Sequence, residues 1–69
     1  MPVGTFTAVL HKEGDLYVAE CPEVGTVSQG KEIEEAVANL REATELYLEE
    51  FPPKDHGRLL VTIFEARFA

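Results

Sequence analysis

The sequence predicts a small α+β domain with the element order β-β-β-α-β. Three observations lead to that class. Two stretches rich in β-branched and aromatic residues flank Lys12-Glu13-Gly14-Asp15, apolar residues then recur at spacings of three and four from Ile33 to Phe51, and a last apolar stretch follows Pro52-Pro53. A length of 69 residues leaves room for one core, so residues 1–69 are read as a single domain.

The first strand is read from Thr5 to His11 and the second from Leu16 to Cys21, joined by Lys12-Glu13-Gly14-Asp15 as a β-hairpin. With His11 opposite Leu16, Leu10 faces Tyr17, Ala8 faces Ala19 and Phe6 faces Cys21, which puts these side chains on one face. The other face carries Thr5, Thr7, Val9, Leu16, Val18 and Glu20. The first is the more apolar and is assigned to the core, where the small Ala8/Ala19 pair leaves room for a helix. Pro22-Glu23-Val24-Gly25 breaks the second strand, because Pro cannot donate to a ladder and Gly tolerates positive φ. A third strand follows at Thr26 to Gln29.

Gly30 opens the long helix. Ile33, Ala36, Val37, Leu40, Ala43, Thr44, Tyr47, Leu48 and Phe51 form its apolar stripe, while Glu34, Glu35, Glu42, Glu45 and Glu49 fall on the opposite face. Pro52-Pro53 stop it, and a polar loop leads to a fourth strand from Leu59 to about Phe64. A right-handed crossover then sets the fourth strand beside and parallel to the first, giving a mixed four-stranded sheet of order 3-2-1-4 with the helix on one face.

A domain of this size buries only about 60% of the surface its unfolded chain exposes and commonly recruits extra support. Lone Cys21 excludes an intrachain disulfide, and one Cys with two His falls short of a structural zinc site, so neither metal nor cofactor is expected. Self-association is the remaining supplement. Because the fourth strand alternates Leu59, Val61 and Ile63 with Leu60, Thr62 and Phe64, it is apolar on both sides, and it is an uncharged edge. A homodimer is therefore expected, with Leu60, Ile63 and Phe64 as interface candidates. The net charge of -7 opposes direct nucleic-acid binding and anionic membrane surfaces, and no leader-like or membrane-spanning run appears. The expected location is cytoplasmic.

The catalytic readings fail on geometry. His11 and Cys21 fall at opposite ends of the hairpin, roughly 17 Å apart, where a nucleophile and its base need hydrogen-bond reach. His56 beside Gly57 reads as a solvated turn residue. The helix carboxylates do not converge from several elements as a two-metal centre requires. The Gly25 to Gly30 region lacks the Lys of a phosphate loop, and Glu32, Glu34 and Glu35 would repel an anion there. A solvated acidic face is the plain reading of the helix glutamates. The functional alternative is a docking surface for a basic partner, with Glu42, Glu45 and Glu49 grouped around Leu46.

The residues Tyr17, Ala19, Pro22 and Gly25, a second glycine at Gly30, the Glu34-Glu35-Ala36 helix start and the later Glu45-Leu46-Tyr47-Leu48 resemble the N-terminal domain of HicB-type antitoxins across most of the chain. In that pattern Tyr17, Pro22, Gly25, Gly30, Glu35 and Ala36 are structural positions. Glu32 stands where the family has Thr or Ser before the helix. The resemblance implies a partly degenerate ribonuclease H-like fold without enzymatic activity, and a role in toxin-antitoxin systems: binding and silencing a small basic HicA-type toxin that cleaves messenger RNA. A second departure is that no C-terminal DNA-binding segment follows Phe68-Ala69, so a single HicB-like domain over residues 1–69 is expected. The alternatives carried with it are a solitary homo-oligomeric HicB-like protein without a toxin partner, and a residual ribonuclease H-type nuclease, which the lack of a carboxylate in Phe6 to Leu10 disfavours.

Overall fold

The computed structural model describes residues 3–52 and 60–69. Strands β1 (Val9–Glu13), β2 (Leu16–Cys21) and β3 (Thr26–Gly30) are followed by helix α1 (Ile33–Glu50). The strands form an antiparallel sheet of order β1-β2-β3, and α1 lies over β2 and β3 on one face.

The hairpin register differs from the expected one. Glu13 pairs with Leu16 and Leu10 with Ala19, so the turn consists of Gly14 and Asp15 alone. Gly14 has φ +59, and among the described residues none other than glycine has positive φ. That is the pattern of a two-residue hairpin turn with glycine first, whose twist matches the strands it joins. The expected pairing of His11 with Leu16 is out by an even step, which leaves every side chain on its assigned face. Ala19 and Cys21 are indeed buried, with Ala8, Leu10 and Tyr17 packed around them. Phe6, by contrast, remains exposed.

Hydrogen-bonded pairing begins at Val9 rather than Thr5, because β2 ends at Cys21 and Pro22 offers no donor to the residues before it. The β2–β3 connection closes on itself, with the Gly25 N–H donating to the Cys21 carbonyl at 2.7 Å and Gly25 at φ +86. Strand β3 then runs one residue beyond Gln29, to Gly30.

Helix α1 begins at Ile33, later than Gly30, because Gly30 still belongs to the ladder opposite Tyr17. Glu32 occupies the cap position without a side-chain cap bond. Glu35 supplies the support instead, its carboxylate reaching back to accept the Lys31 N–H at 2.6 Å, one residue before the cap position that a capping box would use. Gly30 is required by packing. A Cβ there would lie 2.6 Å from the Ala36 nitrogen and 2.9 Å from the Glu35 carbonyl carbon, so only glycine lets the first helical turn press onto the strand end. Ala36 is fully buried at that approach.

The core comprises Ala19, Cys21, Ala36 and Leu40, with the buried Thr44 hydroxyl sharing a 2.7 Å hydrogen bond with Thr26. At about 1.5 Å per residue α1 is roughly 27 Å long, against roughly 17–20 Å for strands of this length. The helix overhangs the sheet at its C-terminal end, where the stripe residues Tyr47 and Phe51 stay exposed.

The expected fourth strand is not seen among the described residues. Leu59 lies outside the described residues, and 60–69 carry no ladder. Leu60, Ile63 and Phe64 are 87%, 93% and 88% exposed, so among the described residues no strand takes the place beside β1 that the order 3-2-1-4 gives it.

Candidate protein-interaction surfaces

Two surfaces stand out. The first is the solvent face of α1. Glu42, Glu45 and Glu49 are exposed, and Leu46 is 57% exposed among them. Residues 42, 46 and 49 follow one another at the three- and four-residue spacing of a helix face, so Glu42, Leu46 and Glu49 form one stripe. Ala38 lies exposed one turn before it. Glu45 turns aside, toward the second surface.

That second surface is an open groove of about 380 Å³ between α1 and the segment leading into β1. Its apolar lining comes from Val3, Phe6, Ala8, Cys21, Val37, Leu40 and Leu48, with Thr7, Arg41, Thr44 and Glu45 at the polar positions. The groove arises because α1 covers β2 and β3 and leaves the β1 side of the inner face only partly roofed.

A carboxylate clasp holds the groove's strand-side wall. The Thr7 N–H donates to both oxygens of Glu23 at 3.0 and 3.1 Å, and the Thr7 hydroxyl donates to Glu23 at 2.6 Å. The Cys21 thiol donates to the same carboxylate at 3.4 Å. Glu23 thus substitutes for the ladder that β2 cannot extend past Pro22. The Thr7 hydroxyl bond holds the Glu23 carboxyl below the usual carboxylate range, while burial pushes the Cys21 thiol above its ordinary value. Thr7 and Glu23 were not legible as partners, since the contact spans 16 positions and neither residue sits in a recognisable motif.

The other sequence-level candidates disperse. His11 is exposed on the outer face opposite Val18 whereas Cys21 is buried on the inner face, so the two do not meet. His56 lies outside the described residues. Among the described residues no group of three or more His, Cys, Asp or Glu is placed to hold a metal ion. No described helix is long and apolar enough to cross a membrane. The motif positions have local structural duties: Tyr17 packs against the core and under the Lys12 ammonium at 5.8 Å, Gly25 supplies positive φ, Gly30 the close approach and Glu35 the reach-back bond.

The chain is similar to a UPF0150 protein of Helicobacter pylori (strain J99 / ATCC 700824), 52% identical over 42 residues that cover 59% of this chain and 58% of that protein. The matched region therefore spans less than two thirds of the relative's length. No family model matches the chain, and no solved structure matches it.

Proposed function

We propose that this chain is a non-enzymatic protein-binding module of the HicB-like antitoxin kind, whose partner is a small basic HicA-type RNA-cleaving toxin. The observation that carries this reading is the solvent face of α1, where exposed Leu46 sits between Glu42 and Glu49 with Glu45 beside them. An apolar centre ringed by acids suits a basic partner: the apolar contact contributes affinity, and the acids steer encounter and reject acidic competitors. The net charge of -7 extends the same field over the molecule. Further support comes from the motif that resembles the HicB-type domain, since Gly25, Gly30 and Glu35 each meet a specific backbone requirement here.

The same reading includes a fourth strand within residues 59–64, which would complete a ribonuclease H-like β-β-β-α-β arrangement, and a cytoplasmic setting, where a messenger-RNA-cleaving partner would act. Its test is co-expression with a HicA-type toxin, a short basic RNA-cleaving protein. Rescue of growth and co-purification of the two chains are the expected results. Toxicity that persists despite a folded, abundant chain would defeat the proposal.

A further inference from the structure

The segment leading into β1 is tied down at one residue. Residues 3–8 carry no ladder, and among the described residues their only hydrogen bonds to the rest of the chain are those that Thr7 gives to Glu23. Apolar anchoring is slight, since Val3 and Phe6 are exposed and only Ala8 packs against the core. The same carboxylate accepts the thiol proton of Cys21, which is buried and lines the groove that residues 3–8 help to wall. One side chain therefore seats the segment and holds the thiol. The Thr7 N–H, the Thr7 hydroxyl and the Cys21 thiol are all donors, and they converge on two carboxylate oxygens. A carboxylate accepts at both oxygens, whereas the amide of a glutamine would turn one of them into a donor facing donors.

We propose that residues 3–8 form a strap, latched by Glu23, that swings clear of the groove as a unit while the sheet and helix stay folded. The latch thereby sets access to Cys21 and to the apolar wall of Leu40 and Leu48. Local opening is easiest where backbone hydrogen bonds and buried apolar contacts are few. The strap meets both conditions, whereas residues 9–50 hold the ladders, the helix and the buried cluster. The hinge falls between Ala8 and Val9, where the ladder begins. Opening removes the side of the groove that Val3, Phe6 and Thr7 supply, so the closed groove is a property of the latch and not of the sheet and helix alone. The device is independent of any toxin.

The test is the rate at which Cys21, the sole cysteine of the full chain, reacts with iodoacetamide at fixed pH and increasing urea, with amide exchange followed by NMR. In the unaltered chain the slow labelling should be nearly independent of urea at low concentration, as a small local opening requires, and should track the exchange of the Thr7 amide. Glu23→Gln should accelerate labelling about tenfold or more, the worth of a hydrogen bond to a charged group, while amides within residues 9–50 stay protected. Thr7→Val leaves the Glu23 charge beside the thiol, so acceleration there separates release of the strap from a change in thiol ionisation. If Glu23→Gln proves unfolded, the Thr7→Val rate decides alone. Labelling that rises with urea as steeply as global unfolding from the lowest concentration overturns the proposal. So do rates unchanged in both variants, or acceleration confined to Glu23→Gln in chains that are both folded, which assigns the effect to ionisation of the thiol.

Discussion

Replacing Gly30 by Ala isolates the closest approach in the fold. Gly30 does not have positive φ, so an alanine meets no backbone penalty there. Were space available, the substitution would stabilise the protein by about 0.4–1 kcal/mol by reducing the freedom of the unfolded chain. The structure predicts the opposite sign. The new Cβ would stand 2.6 Å from the Ala36 nitrogen and 2.9 Å from both the carbonyl carbon and the Cβ of Glu35. Two of these atoms are helical backbone and cannot swing aside, so α1 must lift from β3, loosening the contact of Ala36 with the sheet. Overpacking of this kind costs about 1–3 kcal/mol. In a domain of this length about 1 kcal/mol moves Tm by roughly 4–8 °C, so Tm should fall by about 5–20 °C. Thermal and urea denaturation followed by circular dichroism, with Gly14→Ala as a companion, make the assay. Gly14 has open space around it and φ +59, so its loss reflects backbone strain alone. An unchanged or raised Tm for Gly30→Ala would refute the helix-on-strand placement.

Leu40→Ala should destabilise by about 2–5 kcal/mol, read by urea titration, because Leu40 is 4% exposed and is the largest aliphatic side chain of the buried cluster. Replacing Glu42, Glu45 and Glu49 together with Gln should leave the circular dichroism spectrum intact and slow association with the proposed basic partner, a difference that shrinks at high salt as screening shortens to about 8–10 Å and below. The Glu23 clasp gives stability a pH dependence. Its folded pKa is lowered, so its contribution is present above the ordinary glutamate range and is lost as pH falls through the lowered value. Thr7→Val removes the hydroxyl donor chiefly responsible and should flatten the acid limb of a Tm-against-pH curve. Cys21, buried and with a raised pKa, should resist thiol reagents in the folded protein and react promptly in denaturant.

Much of the local structure was legible in the sequence, and what was missed has identifiable causes. The bounds of β2 follow directly from Leu16 and Pro22, because a β-rich run ends where a donor is lost. The helix follows from its stripe, although periodicity could not show that Gly30 belongs to the strand, since that depends on pairing with Tyr17. The hairpin register was displaced because Lys12 and Glu13 read as turn residues, whereas the turn needs only Gly14 and Asp15. Parity saved the core face. The edge status of the last strand was read from its composition, but its pairing is a long-range property that no local pattern fixes. The groove and the Thr7–Glu23 clasp arise from elements distant in sequence and were invisible for the same reason. Of the surface candidates, Glu42, Leu46 and Glu49 share a face as helical spacing requires, while Glu45 joins the groove rim.

The role proposed for the acidic face of α1 is to receive a small basic protein. The most direct measurement is the association of the purified chain with a small basic HicA-type protein, followed by biolayer interferometry at low and high salt. Saturable binding is predicted, with an association rate that falls steeply as salt rises and a weaker complex when Leu46 is replaced by Asp in a folded chain. Absence of binding at low salt, or binding indifferent to salt and to Leu46→Asp, would contradict it.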